Sequence, residues 1–375
     1  MTKSRALLML DDGACFEGVA CGAGTESMGE VVFATGMAGY QETLTDPSYH
    51  GQLVAFTSAH IGNYGATFLD DESSAHGASG AIFHELFSAP TGTAFPHWRA
   101  EESLNTHLAK RGSTAITGVD TRALTLHLRE HGARNGIISA LDLDKASLLR
   151  RARSLPPMQG RDLTQAVTCQ APHAYAPKGW MNEPEALCNV AVLDFGVKRS
   201  ILDQLLLHGM RPTVWPASTP ARVIRASQPA GILLSNGPGD PAACRNAIAT
   251  VQELLGQVPL FGICLGHQLL GLSLGAKTYK LPFGHHGCNH PVRDLRTGRV
   301  LITSQNHGFC LDSPSLPKNV IPTHENLNDG TLEGIECRDM PAFSVQFHPE
   351  AAPGPLDAAP LFARFRELIA ATSRA

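Results

Sequence analysis

The sequence predicts an α/β protein of two domains, and three observations carry that expectation. The chain has 375 residues, which at ~150 residues per domain suggests two. From Asn189 onward, apolar runs alternate with helical segments, the pattern of parallel strands joined by helical crossovers. Over residues 1–150, strand-like runs mix with amphipathic stretches, which predicts an N-terminal mixed α/β domain. With 43% hydrophobic residues and only 36 Gly and 25 Pro, the composition is that of a packed chain, not a disordered or fibrous one.

In order along the chain, strands are expected at 30–34, 53–57 and 115–119. A helix should follow the N-cap Asp120, put Ala123, Leu124, His127 and Leu128 on one face, and stop at Gly132. Residues 151–188 lose periodicity and collect Pro156, Pro157, Pro172, Pro177 and Pro184, so they read as a loop-rich connection. In the C-terminal domain, 189–375, Val190 to Leu193 reads as a strand. Ile201, Leu202, Leu205 and Leu206 make a helix face closed by Gly209, and strands follow at 213–215, 231–234 and 258–263. A terminal amphipathic helix is expected over about 357–371. The expected layout is a mostly parallel central sheet flanked by helices.

Charge excludes some functions. The net charge is −4 with no run of five like charges, which removes the electrostatic case for nucleic acid or an anionic membrane. No apolar stretch reaches the ~18–20 residues that span a bilayer. The run Ala6 to Leu10 is cut off by Asp11 and Asp12, too short for a signal-peptide core. A cytoplasmic chain is expected. The nine cysteines, odd in number and irregularly spaced, suit a reducing compartment rather than a disulfide framework.

The strongest local signal is Pro259-Leu260-Phe261-Gly262-Ile263-Cys264-Leu265-Gly266-His267-Gln268. A strand runs into a helix with a cysteine at the junction and a glycine two residues to either side, the logic of the G-x-S-x-G elbow with sulfur in place of oxygen. Leu265, Leu269 and Leu272 share a helix face, and Gly275 can end it. A thiol at a helix N-terminus meets the dipole and free N–H groups, which favour the nucleophilic thiolate. An arbitrary cysteine is more often a small buried hydrophobe; the paired glycines turn the reading toward a nucleophile.

A thiolate nucleophile needs a proton partner with an acceptor behind it. His348-Pro349-Glu350 offers both just after the apolar run Ala342 to Val345. Taken alone, one of 17 histidines in such a tripeptide says little; its value lies in the pairing with Cys264. Ser235-Asn236-Gly237-Pro238-Gly239-Asp240-Pro241 is a rigid turn whose N–H groups can converge as an oxyanion hole requires. The same residues also read as a strand-to-helix turn with Asp240 as N-cap and Pro241 in the first turn, and both readings can hold together.

These three motifs resemble a class I (triad) glutamine amidotransferase domain. Gln41 to Tyr49, His60 to Gly65, Gly118 to Arg122 and Gly284-His285-His286-Gly287 extend the likeness over nearly the whole chain. Over that length it resembles the small, glutamine-hydrolysing subunit of carbamoyl-phosphate synthetase. The resemblance implies Cys264 as nucleophile, His348 as general base and acid, and Glu350 as its orienter. It implies an oxyanion held by the N–H groups of Gly239 and Leu265, and L-glutamine gripped by Ser48, Gly237, Gln268, Asn306, Gly308 and Phe309. It also implies that ammonia passes to a separate large subunit, which uses bicarbonate, ATP and magnesium to make carbamoyl phosphate for arginine and pyrimidines.

No G-x-x-x-x-G-K-[ST] phosphate loop occurs, so no cofactor is expected in this chain. Cys288 and Ser200 depart from the family's usual residues and touch none of the triad. His285, His286, Cys288 and His290 match no standard zinc spacing, and no metal is expected. The alternatives are a catalytically silent regulatory subunit, against which Cys264, His348 and Glu350 speak, and an amidotransferase for another synthetase, against which the N-terminal domain speaks.

Overall fold

A computed structural model describes residues 4–87, 97–177 and 187–372. The chain forms two compact units, one of Met1–Met158 with Pro282–His286, the other of Gln159–Leu281 with Gly287–Ala375.

The first unit contains a closed barrel. Around it run Arg5–Leu10, Cys15–Gly22, Thr114–Thr117, Gly80–Ile82, Gln52–Phe56, Glu26–Ala34 and Arg134–Ser139. Leu8, Val31, Leu53, Ile82, Ile116 and Ile138, drawn from around the ring, pack in one cluster, as inward-facing positions of a small barrel must. The alternate positions Val32, Val54 and Ala115 pack outside the ring with Tyr40, Leu44, Leu104 and Leu108 of two short helices. Strands buried on both faces read as continuous apolar runs, which is how three of them stood out in the sequence. The helix expected after Asp120 spans Thr121–His131. The Asp120 carboxylate accepts the Ala123 N–H at 2.9 Å, and Gly132 ends the helix at φ 82°.

The second unit is built on a ten-stranded sheet. Met210–Pro216, Cys188–Asp194, Gly231–Leu234, Leu260–Ile263 and Ala342–Val345 are parallel neighbours in that order. Leu332–Cys337 then pairs antiparallel with Ala342–Val345, and Val320–Asn326 antiparallel with Leu332–Cys337. The sheet expected to be mostly parallel is therefore mixed. Residues 327–331 are too short a link to return a strand in the same direction, which takes a crossover of about a dozen residues or more.

Alternate residues of each parallel strand go to opposite faces. Leu193, Leu234 and Leu260 pack with Ile224, Val251 and Leu269 on one side, whereas Val192, Phe261 and Phe343 pack with Leu205, Phe362 and Phe365 on the other. The last two lie on the terminal helix, Pro360–Thr372. Full burial of each such side chain contributes ~1.5–3 kcal/mol.

The Pro-rich stretch 151–188 is not uniformly loop. Helix Lys145–Arg153 runs into it, and from Gln159 the chain belongs to the second unit, with a helical turn at Thr164–Val167 and a short strand, His173–Ala174, on Met210–Pro216. Prolines remove only their own N–H donors, so the residues between them still pair. Pro184 lies outside the described residues. Among the described residues no helix is long and apolar enough to cross a membrane. All nine cysteines are free of disulfides.

Candidate active site

The C-terminal ends of parallel strands are where open α/β sheets place their ligands. Cys264, His348, Glu350 and the turn with Gly237 and Gly239 follow such ends, Gln268 sits in the helix after Cys264, and Asn306, Gly308 and Phe309 lie on strand Val300–Leu311. Cys264 follows strand Leu260–Ile263 and precedes helix Leu265–Ser273. Its backbone sits at φ 54°, ψ −106°, a conformation an L-residue adopts only under constraint. The constraint is visible. A Cβ at Gly262 would lie 2.6 Å from the Gly266 oxygen, and one at Gly266 2.2 Å from the Leu234 oxygen. Glycine is thus required on both sides of the turn. The Cys264 N–H donates to the Val345 carbonyl at 2.9 Å, and its sulfur donates to the Asn306 carbonyl at 3.4 Å.

His348 and Glu350 follow strand Ala342–Val345, the neighbour of the Cys264 strand. The His348 N–H donates to the Ser304 carbonyl at 2.9 Å. Its ring Nδ1 lies 2.6 Å from Glu350 Oε1, while Nε2 has no hydrogen-bond partner among the described residues. Burial favours the neutral ring, but the Glu350 charge outweighs it, and the influence of Cys264 adds to the effect, so His348 is held well above its ordinary value. Glu350 is pushed the other way. Burial would raise it, yet the charges of Lys198 and His348 hold it well below the usual carboxylate range.

Lys198 escaped the sequence reading. Its Nζ donates to the same Glu350 Oε1 at 2.8 Å and to the Ala351 carbonyl at 2.7 Å, and its side chain is only 3% exposed. No local signal marks it, since Lys198 and Arg199 stand together where an apolar strand gives way to the helix Arg199–Leu207. Ala351 and Ala352 adopt φ of 58° and 48°; the turn that presents the Ala351 carbonyl to Lys198 is strained, at a cost of about 1–2 kcal/mol per residue.

The glycine-rich turn leaves strand Gly231–Leu234 next to the Cys264 strand. A Cβ at Gly237 would come within 2.2 Å of the Phe195 oxygen, and Gly239 has φ 95°. Asp240 caps the turn Pro241–Ala243, with helix Arg245–Leu254 beyond it, so the plain reading of the motif holds. Among the described residues neither the Gly239 nor the Leu265 N–H donates a hydrogen bond. Gln268 gives both amide hydrogens to the protein, one to the Phe309 carbonyl at 2.7 Å and one to Gln346 Oε1 at 3.0 Å. Asn306 and Phe309 are buried, while Gly308 is half-buried near Lys280. Ser48 belongs to the first unit, in the turn Pro47–Tyr49, where its N–H donates to Asp46 Oδ1 at 2.8 Å.

An oriented thiol, a histidine backed by a carboxylate, and the unspent N–H groups of Leu265 and Gly239 suit acyl transfer from a carbonyl substrate. Comparison with known proteins agrees. Residues 191–368 match the glutamine amidotransferase class-I family, and residues 8–138 match the carbamoyl-phosphate synthase small chain, CPSase domain. The chain is 50% identical to the carbamoyl phosphate synthase small chain of Vibrio cholerae, over 98% of this chain and 99% of that one. It is 49% identical to the protein of that name in Escherichia coli K12, over 98% of each. With the one in Syntrophotalea carbinolica it shares 48%, over 97% of this chain and 98% of the relative.

Proposed function

The chain belongs to the carbamoyl phosphate synthase small-chain family and is the glutamine-hydrolysing subunit of that synthase, and from this premise we propose that hydrolysis takes place at the Cys264 elbow. The observation that carries the assignment is a strained, buried cysteine beside a His348–Glu350 pair at the ends of adjacent strands.

Cys264 Sγ attacks the side-chain carboxamide carbon of glutamine, and the carbonyl oxygen takes up negative charge beside the Gly239 and Leu265 N–H groups. The C–N bond breaks as His348 protonates the departing ammonia. Water, giving a proton to His348, then cleaves the glutamyl thioester, releasing glutamate and restoring Cys264. Gln268, its amide hydrogens spent within the protein, offers its carbonyl oxygen to the substrate. Ser48, Gly237, Asn306, Gly308 and Phe309 are assigned to glutamine on the resemblance.

Ammonia goes to the large subunit, where ATP and magnesium act; this chain takes no cofactor or metal of its own. Its partners are L-glutamine and that subunit, in the cytoplasm, with neither nucleic acid nor membrane involved.

The test is glutamate release by the chain and by Cys264→Ser, each with and without the large subunit, bicarbonate and ATP. Release that needs Cys264 and rises with the large subunit is expected. No release from either protein, with binding to the large subunit intact, would leave a silent regulatory chain.

A further inference from the structure

The loop carrying Gly239 is held from outside its own strand. Gly239 forms a β-bridge with Asp162, and the Asp240 N–H donates to the Arg161 carbonyl at 2.9 Å. The Gly160 N–H donates to Asp240 Oδ2 at 2.8 Å, while Oδ1 of the same carboxylate accepts the Ala242 N–H at 2.9 Å. The fit is close, since a Cβ at Gly239 would lie 2.7 Å from the Arg161 oxygen and 3.0 Å from the Leu163 nitrogen.

The same segment also reaches the turn that ends in Lys198. Asp162 Oδ1 accepts the Thr164 N–H at 2.9 Å and its hydroxyl at 2.6 Å, opening the helical turn Thr164–Val167. Further on, the Cys169 N–H donates to Asp194 Oδ2 at 2.7 Å. Asp194 Oδ1 accepts the N–H groups of Gly196 and Val197, which shapes the approach to Lys198 and hence to Glu350.

We propose that Asp240 is a positioning residue for glutamine hydrolysis, the anchor of a strap, residues 159–169, that aims the Gly239 N–H at the developing oxyanion. The inference rests on Gly239 being an oxyanion donor. An N–H stabilises an oxyanion only when pre-aimed at about 2.7–3.1 Å, and a glycine at positive φ has no side chain to hold its peptide. The Gly239 N–H lies in the peptide before Gly239; the antiparallel bridge to Asp162 pairs Gly239 itself with the strap, the Asp240 N–H bonded to Arg161 fixes its far side, and the Asp240 carboxylate locks strap and loop together.

The test uses the full chain assembled with its large subunit. Asp240→Asn has one acceptor where two N–H groups point, so it sets an amide NH2 against one of them. Its kcat for glutamine should fall roughly 10–100-fold, with KM changed by less than about threefold. Alkylation of Cys264 by iodoacetamide, a displacement that builds no oxyanion, should keep its rate to within about twofold. An unchanged kcat overturns the proposal, as does a loss of alkylation equal to the loss of kcat, which would mean a site deformed as a whole. If Asp240→Asn does not fold, Asp162→Ala, which leaves Asp240 in place and frees the strap, decides by the same split. Failure of the wild-type complex to release glutamate would instead overturn the reading of the site, independently of the strap.

Discussion

Two stretches of the second unit each bury a histidine, and they do opposite things with it. His348, at the end of strand Ala342–Val345, is 2% exposed; His267, in the first turn of helix Leu265–Ser273, is 0% exposed. Burial pushes both toward the neutral ring. At His267 little opposes it: Nδ1 meets only the Ser344 hydroxyl, at 2.9 Å, and the value drops to about 3. At His348 one carboxylate at 2.6 Å reverses the outcome. Depth alone therefore does not decide which ring holds a proton; a single oriented partner does.

The largest contrast should come from replacing each ring in turn. His348→Asn should lower kcat for glutamine by roughly 10²–10⁴-fold, whereas His267→Asn should change it by less than about threefold. Equal losses in steady-state assays would erase the distinction. Glu350→Gln should make the His348 environment resemble that of His267. With only Cys264 left to offset burial, the ring should titrate well below its wild-type value, visible by NMR, and kcat should fall roughly 10²–10³-fold. Lys198, left buried without its carboxylate, should cost about 3–5 kcal/mol in urea unfolding.

A milder change is Lys198→Met, which removes the strongest influence depressing Glu350. About a tenfold loss of kcat is expected, together with a shift in the pH dependence of stability. Because Glu350 is held below its ordinary 4.5, its contribution is present above that pH and lost as pH falls through the folded value. Removing Lys198 should make that acid limb shallower.

The smallest effect is the acid response of His267. The unfolded ring binds a proton near pH 6.5 that the folded ring refuses until about pH 3. Stability from this group is thus complete above 6.5 and lost as pH falls toward 3. His324, pushed down to about 4 mainly by burial, acts in the same direction. His267→Asn should flatten part of the decline in urea midpoint between pH 7 and pH 5, and an unaltered slope would show that burial does not control this ring.

What could be read in advance follows from how local the physics is. The elbow was legible because its rule is steric and short-range: two glycines, each needed where backbone passes within 3 Å. His348 and Glu350 were legible because the pair spans two residues. Lys198 was not, since its partner is 152 positions away, and a lysine after a strand has no local feature that marks it as buried. The strap was hidden for a related reason: prolines around 156–177 signal loop, and nothing nearby tells a free loop from one bonded to Asp240. Apolar runs announced strands in the first unit, but inward and outward faces both apolar gave no cue that those strands close into a barrel.

By itself the sequence determined the α/β class, the strained turn at Cys264 and the His348–Glu350 pair, because turn sterics, caps and short spacings act within a few residues. Only the tertiary structure decided that the sheet is mixed, that Glu350 shares its oxygen with Lys198, and that His348 is held above its ordinary value while His267 falls to about 3. Charge in a low-dielectric interior answers to the nearest partner in space, and chain order does not record that neighbour.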